Sequence, residues 1–211
     1  MQSYAALGLR FAGPPGVPEE TLLQQAWSYL SDVPDVGTAV FALVRAIHLL
    51  ESPGPNYDIS HSDPDLPCSI FLSLPVGEPH AALRAAESIL HEAMHLQLTL
   101  LEAEVPVVQL SSSTLYSPWQ RRQRPISGVV HGLYVFVAIE VYLSELLLQG
   151  DLPRDSASFA LKRCREIAEE IEQAAVVAAH EDLTLFGRRF TEGLIAGRQR
   201  RGWGGGRSLG R

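Results

Sequence analysis

The sequence predicts a mainly α domain with at most a small β element near residues 68–75, on three observations. Five stretches, about 19–30, 36–51, 79–101, 129–148 and 156–186, place apolar residues at helical spacing. Proline, glycine and serine clusters punctuate them. Only Cys68-Ser69-Ile70-Phe71-Leu72-Ser73-Leu74-Pro75 reads as a strand, and no repeat of solenoid length is present.

A chain of 211 residues with 46% hydrophobic content suits one domain with a sizeable core. We divide it into an arm over 1–17, a single catalytic domain over 18–190 and a flexible Arg/Gly-rich tail over 191–211. No run of eighteen apolar residues lacks a charge or proline, and Met1-Gln2-Ser3-Tyr4 does not lead into an apolar core. The expectation is a cytoplasmic protein with no membrane partner. Cys68 and Cys164 lack CxxC spacing and read as reduced structural thiols. The five arginines of residues 198–211, with no acid among them, leave a net −12 on residues 1–197 against −7 for the whole chain. So acidic a body argues against a nucleic-acid enzyme.

Taken in order, Gly13-Pro14-Pro15-Gly16 belongs to the arm, and Pro18-Glu19-Glu20 opens a helix reaching about Leu30, because proline and acids suit a first turn. A second helix, near Val36 to Glu51, lines up Val40, Leu43, Val44 and His48, which makes His48 a buried, hydrogen-bonded histidine; it stops before Ser52-Pro53-Gly54-Pro55. Asp58 to Pro67 is a polar loop whose side chains suit the lining of a site. From Glu78-Pro79 a helix carries Leu83, Ala86, Leu90, Met94 and Leu101 as one stripe, and Pro106 ends it. Tyr116 to Pro125 reads as an irregular segment in which Arg121, Arg122 and Arg124 could clamp a carboxylate. Gly128 opens an apolar helix over Val129 to Leu148. The last helix, about Ser156 to Phe186, has a bundle-like stripe of Ile167, Ile171, Ala174 and Ala178.

The chemistry concentrates at His91-Glu92-x-x-His95. Residues four apart share one helix face, so two imidazoles there can hold one divalent metal, with a carboxylate between them in sequence. Further along, His131 and Glu140 differ by nine positions, or roughly 180° of helix, so one helix cannot bring both to one site. A ligand from this helix is therefore either His131 or Glu140. A zinc peptidase would use Glu92 as general base and needs a third ligand, which Glu140 would supply. The metzincin spacing fails, because Leu98 and Leu101 stand where glycine and the third histidine belong.

The ordered series Ser60-His61-Ser62-Asp63-Pro64-x-Leu66-Pro67-x-Ser69-Ile70-Phe71, His91-Glu92-x-x-His95, Tyr116-Ser117-Pro118-Trp119 with Arg124-Pro125, and Gly128-Val129-Val130-His131-Gly132 resembles the HExxH-type 2-oxoglutarate-dependent peptide β-hydroxylases that modify ribosomally made precursor peptides. It spans about residues 57–148. The resemblance implies Fe(II), with 2-oxoglutarate and O₂ as cosubstrates and a precursor peptide as substrate. It further implies His91, His95 and His131 as iron ligands, Arg124 as the carboxylate clamp, and Ser60 and His61 at the cosubstrate site. One departure is Gln120 where the family pattern has arginine; if that arginine grips the cosubstrate, Arg121 or Arg122 must replace it or binding is weakened. Non-haem iron oxygenases leave metal positions open for a 2-oxo acid and O₂, and Glu92 would then hydrogen-bond a ligand or substrate. The rival classes are an HExxH zinc metallopeptidase and a metal-free peptide-binding module.

Overall fold

The computed structural model describes residues 8–52, 54 and 57–200. Six α-helices carry most of these residues and five short strands form two small sheets, as the mainly α class requires. Two compact units share the chain, one built from residues up to Gln97 with Gly150–Ser156, the other from Leu98–Gln149 with residues from Ala157 on.

In the first unit α1 (Val17–Ser31) opens with Gly16 N–H donating to the Glu19 carboxylate at 3.1 Å. α2 (Pro34–Leu43) follows after two residues. The turn between them is tight enough that a Cβ on Gly37 would stand 2.9 Å from the Leu30 carbonyl oxygen, so glycine is needed there. The expected helix over 36–51 is corrected: α2 ends at Leu43 and residues 46–50 are strand. β1 (Ala46–Leu50), β2 (Ser60–Ser62) and β3 (Ser69–Ser73) form a sheet in the order β1-β3-β2, with β1 parallel and β2 antiparallel to β3.

The cause lies in β3. Ile70, Phe71 and Leu72 are all buried, so its backbone needs hydrogen-bonding neighbours on both edges. Residues 46–50, whose short apolar run suits helix or strand alike, supply one of them. His48 is consequently a half-buried strand residue, its ring stacked on Phe71 at 4.8 Å, and not a helix-core histidine. The arm joins in, with Ala12 N–H donating to the Leu49 carbonyl and Glu51 N–H to the Arg10 carbonyl, each at 2.9 Å. α3 (Ala81–Glu104) buries Leu83, Ala86, Leu90 and Met94 of the apolar stripe expected of it, while Leu101 is only partly buried.

In the second unit the segment expected to be irregular is instead an antiparallel ribbon, β4 (Thr114–Ser117) and β5 (Arg122–Pro125), closed by a turn in which Arg121 has φ 50°. α4 (Ile126–Gln149) buries Val129, Val130, Leu133, Ile139 and Leu143 among others. By length and composition it is the one helix among the described residues apolar enough to cross a membrane, and 61% of its apolar window is buried inside the protein. It also buries Glu140, which accepts from Arg198 at 2.6 and 3.0 Å.

The last helix expected over 156–186 is corrected as well. α5 (Arg154–Ala174) passes into a 3₁₀ turn over Ala175–Ala179, the chain breaks, and α6 (Leu185–Arg200) begins. Long-range pairing makes the break: Gln109 N–H donates to the Asp182 carbonyl at 2.8 Å and Thr184 N–H to the Val107 carbonyl at 3.1 Å. Thr184 then caps α6, its hydroxyl accepting from Gly187 N–H at 2.9 Å. Residues 191–200, read as the start of the tail, are helical. The rest of the tail, residues 201–211, lies outside the described residues, as do residues 1–7 of the arm and Pro53 and Pro55.

Candidate functional site

α3 presents His91 and His95 one turn apart on one face, with Glu92 next to His91 in sequence and about 100° round the helix. The Nε2 atoms of His91 and His95 lie 3.2 Å apart. Two imidazole nitrogens bound to one metal at about 2.1 Å each stand about 3.0 to 3.4 Å apart at octahedral or tetrahedral angles, so the pair spans one edge of such a coordination sphere. In this respect the two residues fit a metal. Among the described residues no group of three or more His, Cys, Asp or Glu side chains stands ready to hold one.

Glu92 is 3% exposed, with Oε1 3.9 Å from His91 Nε2. Burial pushes its carboxyl above the usual carboxylate range, and hydrogen bonds from the Ser60 and Ser62 hydroxyls act in the opposite direction. The local fold explains these contacts. Asp58 accepts two bonds from the Arg84 guanidinium of α3, both 2.9 Å, which seats the segment ahead of β2 on the helix. Side chains alternate along β2, so Ser60 and Ser62 share the face that meets Glu92. His61 falls on the opposite face, beside Phe71 with ring centroids 6.2 Å apart. Ser62 adds to the sequence-based site, and the i, i+2 spacing from Ser60 on a strand is the signal that finds it.

In the second unit His131 lies on α4 with Nε2 2.7 Å from Oε2 of Glu102. A ring nitrogen held by a carboxylate is the usual surrounding of a metal-ligating imidazole. Sequence reading missed Glu102; its place two helical turns beyond His95 was the available signal. Glu140, the other candidate ligand, is committed to Arg198.

Arg124 lies on β5 with its guanidinium over Gly128, where a Cβ would stand 3.1 Å from the nearer terminal nitrogen. It is partly buried and, among the described residues, has no hydrogen-bond or ion-pair partner. Arg121 and Arg122 are exposed in the turn and at the start of β5. His131 follows Gly128 by three residues, so Arg124 and His131 address neighbouring positions on α4. Cys68 and Cys164 form no disulfide, and Cys164 Sγ lies 3.7 Å from the Ser144 hydroxyl. The chain matches no protein-family model and no curated protein.

Proposed function

We propose that the protein is an Fe(II)- and 2-oxoglutarate-dependent oxygenase that hydroxylates a side-chain β-carbon of a ribosomally made precursor peptide. The observation that carries this reading is the convergence of His91 and His95 at 3.2 Å beside a buried, serine-held Glu92. It is supported by the ordered motif series from Ser60 to His131. When bound, Fe(II) with 2-oxoglutarate and O₂ supplies the oxidant that exchanges a C–H for a C–OH, while 2-oxoglutarate leaves as succinate and CO₂.

The chain's own residues bind and orient. His91 and His95 would hold the metal, the resemblance adds His131 as a third ligand, and Glu102 would fix the direction of the His131 ring. Arg124 anchors the distal carboxylate of 2-oxoglutarate through paired, charge-assisted hydrogen bonds, with Arg121 and Arg122 adding positive charge nearby in sequence. Glu92, buried beside the Ser60 and Ser62 hydroxyls, would orient neighbouring groups at the histidine pair. Cys68 and Cys164, which form no disulfide, agree with a cytoplasmic location.

The experiment loads the protein anaerobically with Fe(II) and 2-oxoglutarate. A weak visible charge-transfer band is expected, and O₂ with the right peptide then yields succinate and a peptide carrying one more oxygen atom. Peptide-bond cleavage supported by zinc alone overturns the reading. That second reading, a zinc peptidase, draws on one observation. β2 is an edge strand whose serines touch Glu92, and an extended substrate can add itself to such an edge.

A further inference from the structure

We propose that the indole N–H of Trp119 is a second donor to the carboxylate that Arg124 holds, so that the turn between β4 and β5 closes a two-donor carboxylate site against α4. The proposal rests on the reading of Arg124 as the anion anchor and adds the residue that completes it.

Gly128 and Gly132 are four residues apart and share one face of α4. The ribbon lays one side chain over each. Arg124 fills the space above Gly128, with Nε and a terminal nitrogen 3.2 and 3.1 Å from where a Cβ would be. Trp119 fills the space above Gly132, its ring edge 2.5 Å from the corresponding point. A side chain at Gly132 would expel the indole, and one at Gly128 would press on the guanidinium. Trp119 also stacks on Phe136, one turn further along α4, with ring centroids 4.9 Å apart and planes within 6°, which holds the indole plane and therefore the direction of its N–H.

Trp119 Nε1 is shielded from solvent and, among the described residues, has no hydrogen-bond partner. Arg124 likewise has no partner among the described residues, but it is only partly buried and solvent still reaches it. Buried donors in folded proteins are paired with few exceptions, because leaving one unpaired costs its lost hydration in full. Here one buried, unpaired donor and one partly buried guanidinium with no protein partner among the described residues lie over adjacent turns of one helix face. Their common complement is an anion rich in lone pairs. A carboxylate offers about four acceptor positions, two for the guanidinium fork and others for the indole.

Glutarate is the probe, because it keeps both carboxylates of 2-oxoglutarate but lacks the 2-oxo group and needs no metal. In ¹⁵N-labelled, metal-free protein the indole N–H resonance missing from Trp119→Phe identifies Trp119 among the three tryptophans. Glutarate should shift that resonance saturably and leave Trp27 unmoved. Trp119→Phe, which keeps the stack on Phe136, should weaken glutarate binding about 5- to 20-fold, and Arg124→Leu at least as much. An unmoved Trp119 resonance at saturating glutarate overturns the proposal, as does an equal shift with inorganic phosphate. Because the readout is in the unsubstituted protein, a variant that misfolds does not decide it. Fe(II)-dependent 2-oxoglutarate turnover alongside an unmoved Trp119 resonance overturns this site alone. A shifted resonance in a protein that forms no band with Fe(II) and 2-oxoglutarate overturns the oxygenase reading alone.

Discussion

Glu102 Oε2 lies 2.7 Å from His131 Nε2, joining the C-terminal end of α3 to the first turns of α4 through one charge-assisted contact. If this carboxylate positions a metal-ligating ring, Glu102→Gln should lower Co(II) or Fe(II) affinity about 10- to 100-fold. Competition with a chelator measures it. Unchanged affinity would leave the pair as a surface contact, since both side chains are only partly buried.

His91→Ala and His95→Ala should each abolish stoichiometric metal binding without unfolding α3. His91 is partly exposed and the helix is anchored elsewhere, by buried Leu83, Ile89, Leu90 and Leu98. Calorimetric titration reads the binding and circular dichroism the fold. Retained binding in either variant would move the metal away from this pair.

Arg198→Met should destabilise the protein by about 3 to 5 kcal/mol, because it strands Glu140 in the core without its partner. Burial already pushes the Glu140 carboxyl above its ordinary range, against the opposing pull of Arg198. Glu140→Leu combined with Arg198→Met should recover most of the loss, since a buried pair contributes little over an apolar replacement of similar volume. Urea unfolding of the two variants decides whether the pair is structural or a ligand source.

Asp182 accepts hydrogen bonds from the Ser111 and Ser113 hydroxyls, with His180 nearby, and these hold its carboxyl below the usual range. A depressed folded-state value means that its contribution to stability is fully present above the unfolded value and is lost as pH falls through the folded one. Ser111→Ala should therefore lower the melting temperature at neutral pH and flatten its fall on the acid side. A parallel downward shift of the whole curve would assign the effect to packing.

Much of this was legible in the residues. His91-x-x-x-His95 put two imidazoles on one helix face, and the geometry of an α-helix alone brings their nitrogens near each other. An apolar stripe at helical spacing marked α3, and a long apolar run marked α4, which is buried over most of its circumference. Pro18 and Glu19 announced the start of α1.

What sequence could not decide were the places where distant segments compete for the same backbone. Residues 44–50 suit helix or strand, and only the need of β3 for a second edge makes them strand. His180 to Thr184 would continue a helix but for the hydrogen bonds offered by Val107 and Gln109, more than seventy residues earlier. Ser62 and Trp119 stand in the ordered series without a role that the series assigns, and Glu102 lies outside it. Each acquires its role from a partner remote in sequence or from an unpaired donor that only three-dimensional packing creates: Ser62 from Glu92, Glu102 from His131, Trp119 from the space above Gly132. Local periodicity sets the helices and the spacing within one of them, whereas hydrogen-bond partners across elements follow from burial, which is a property of the whole fold.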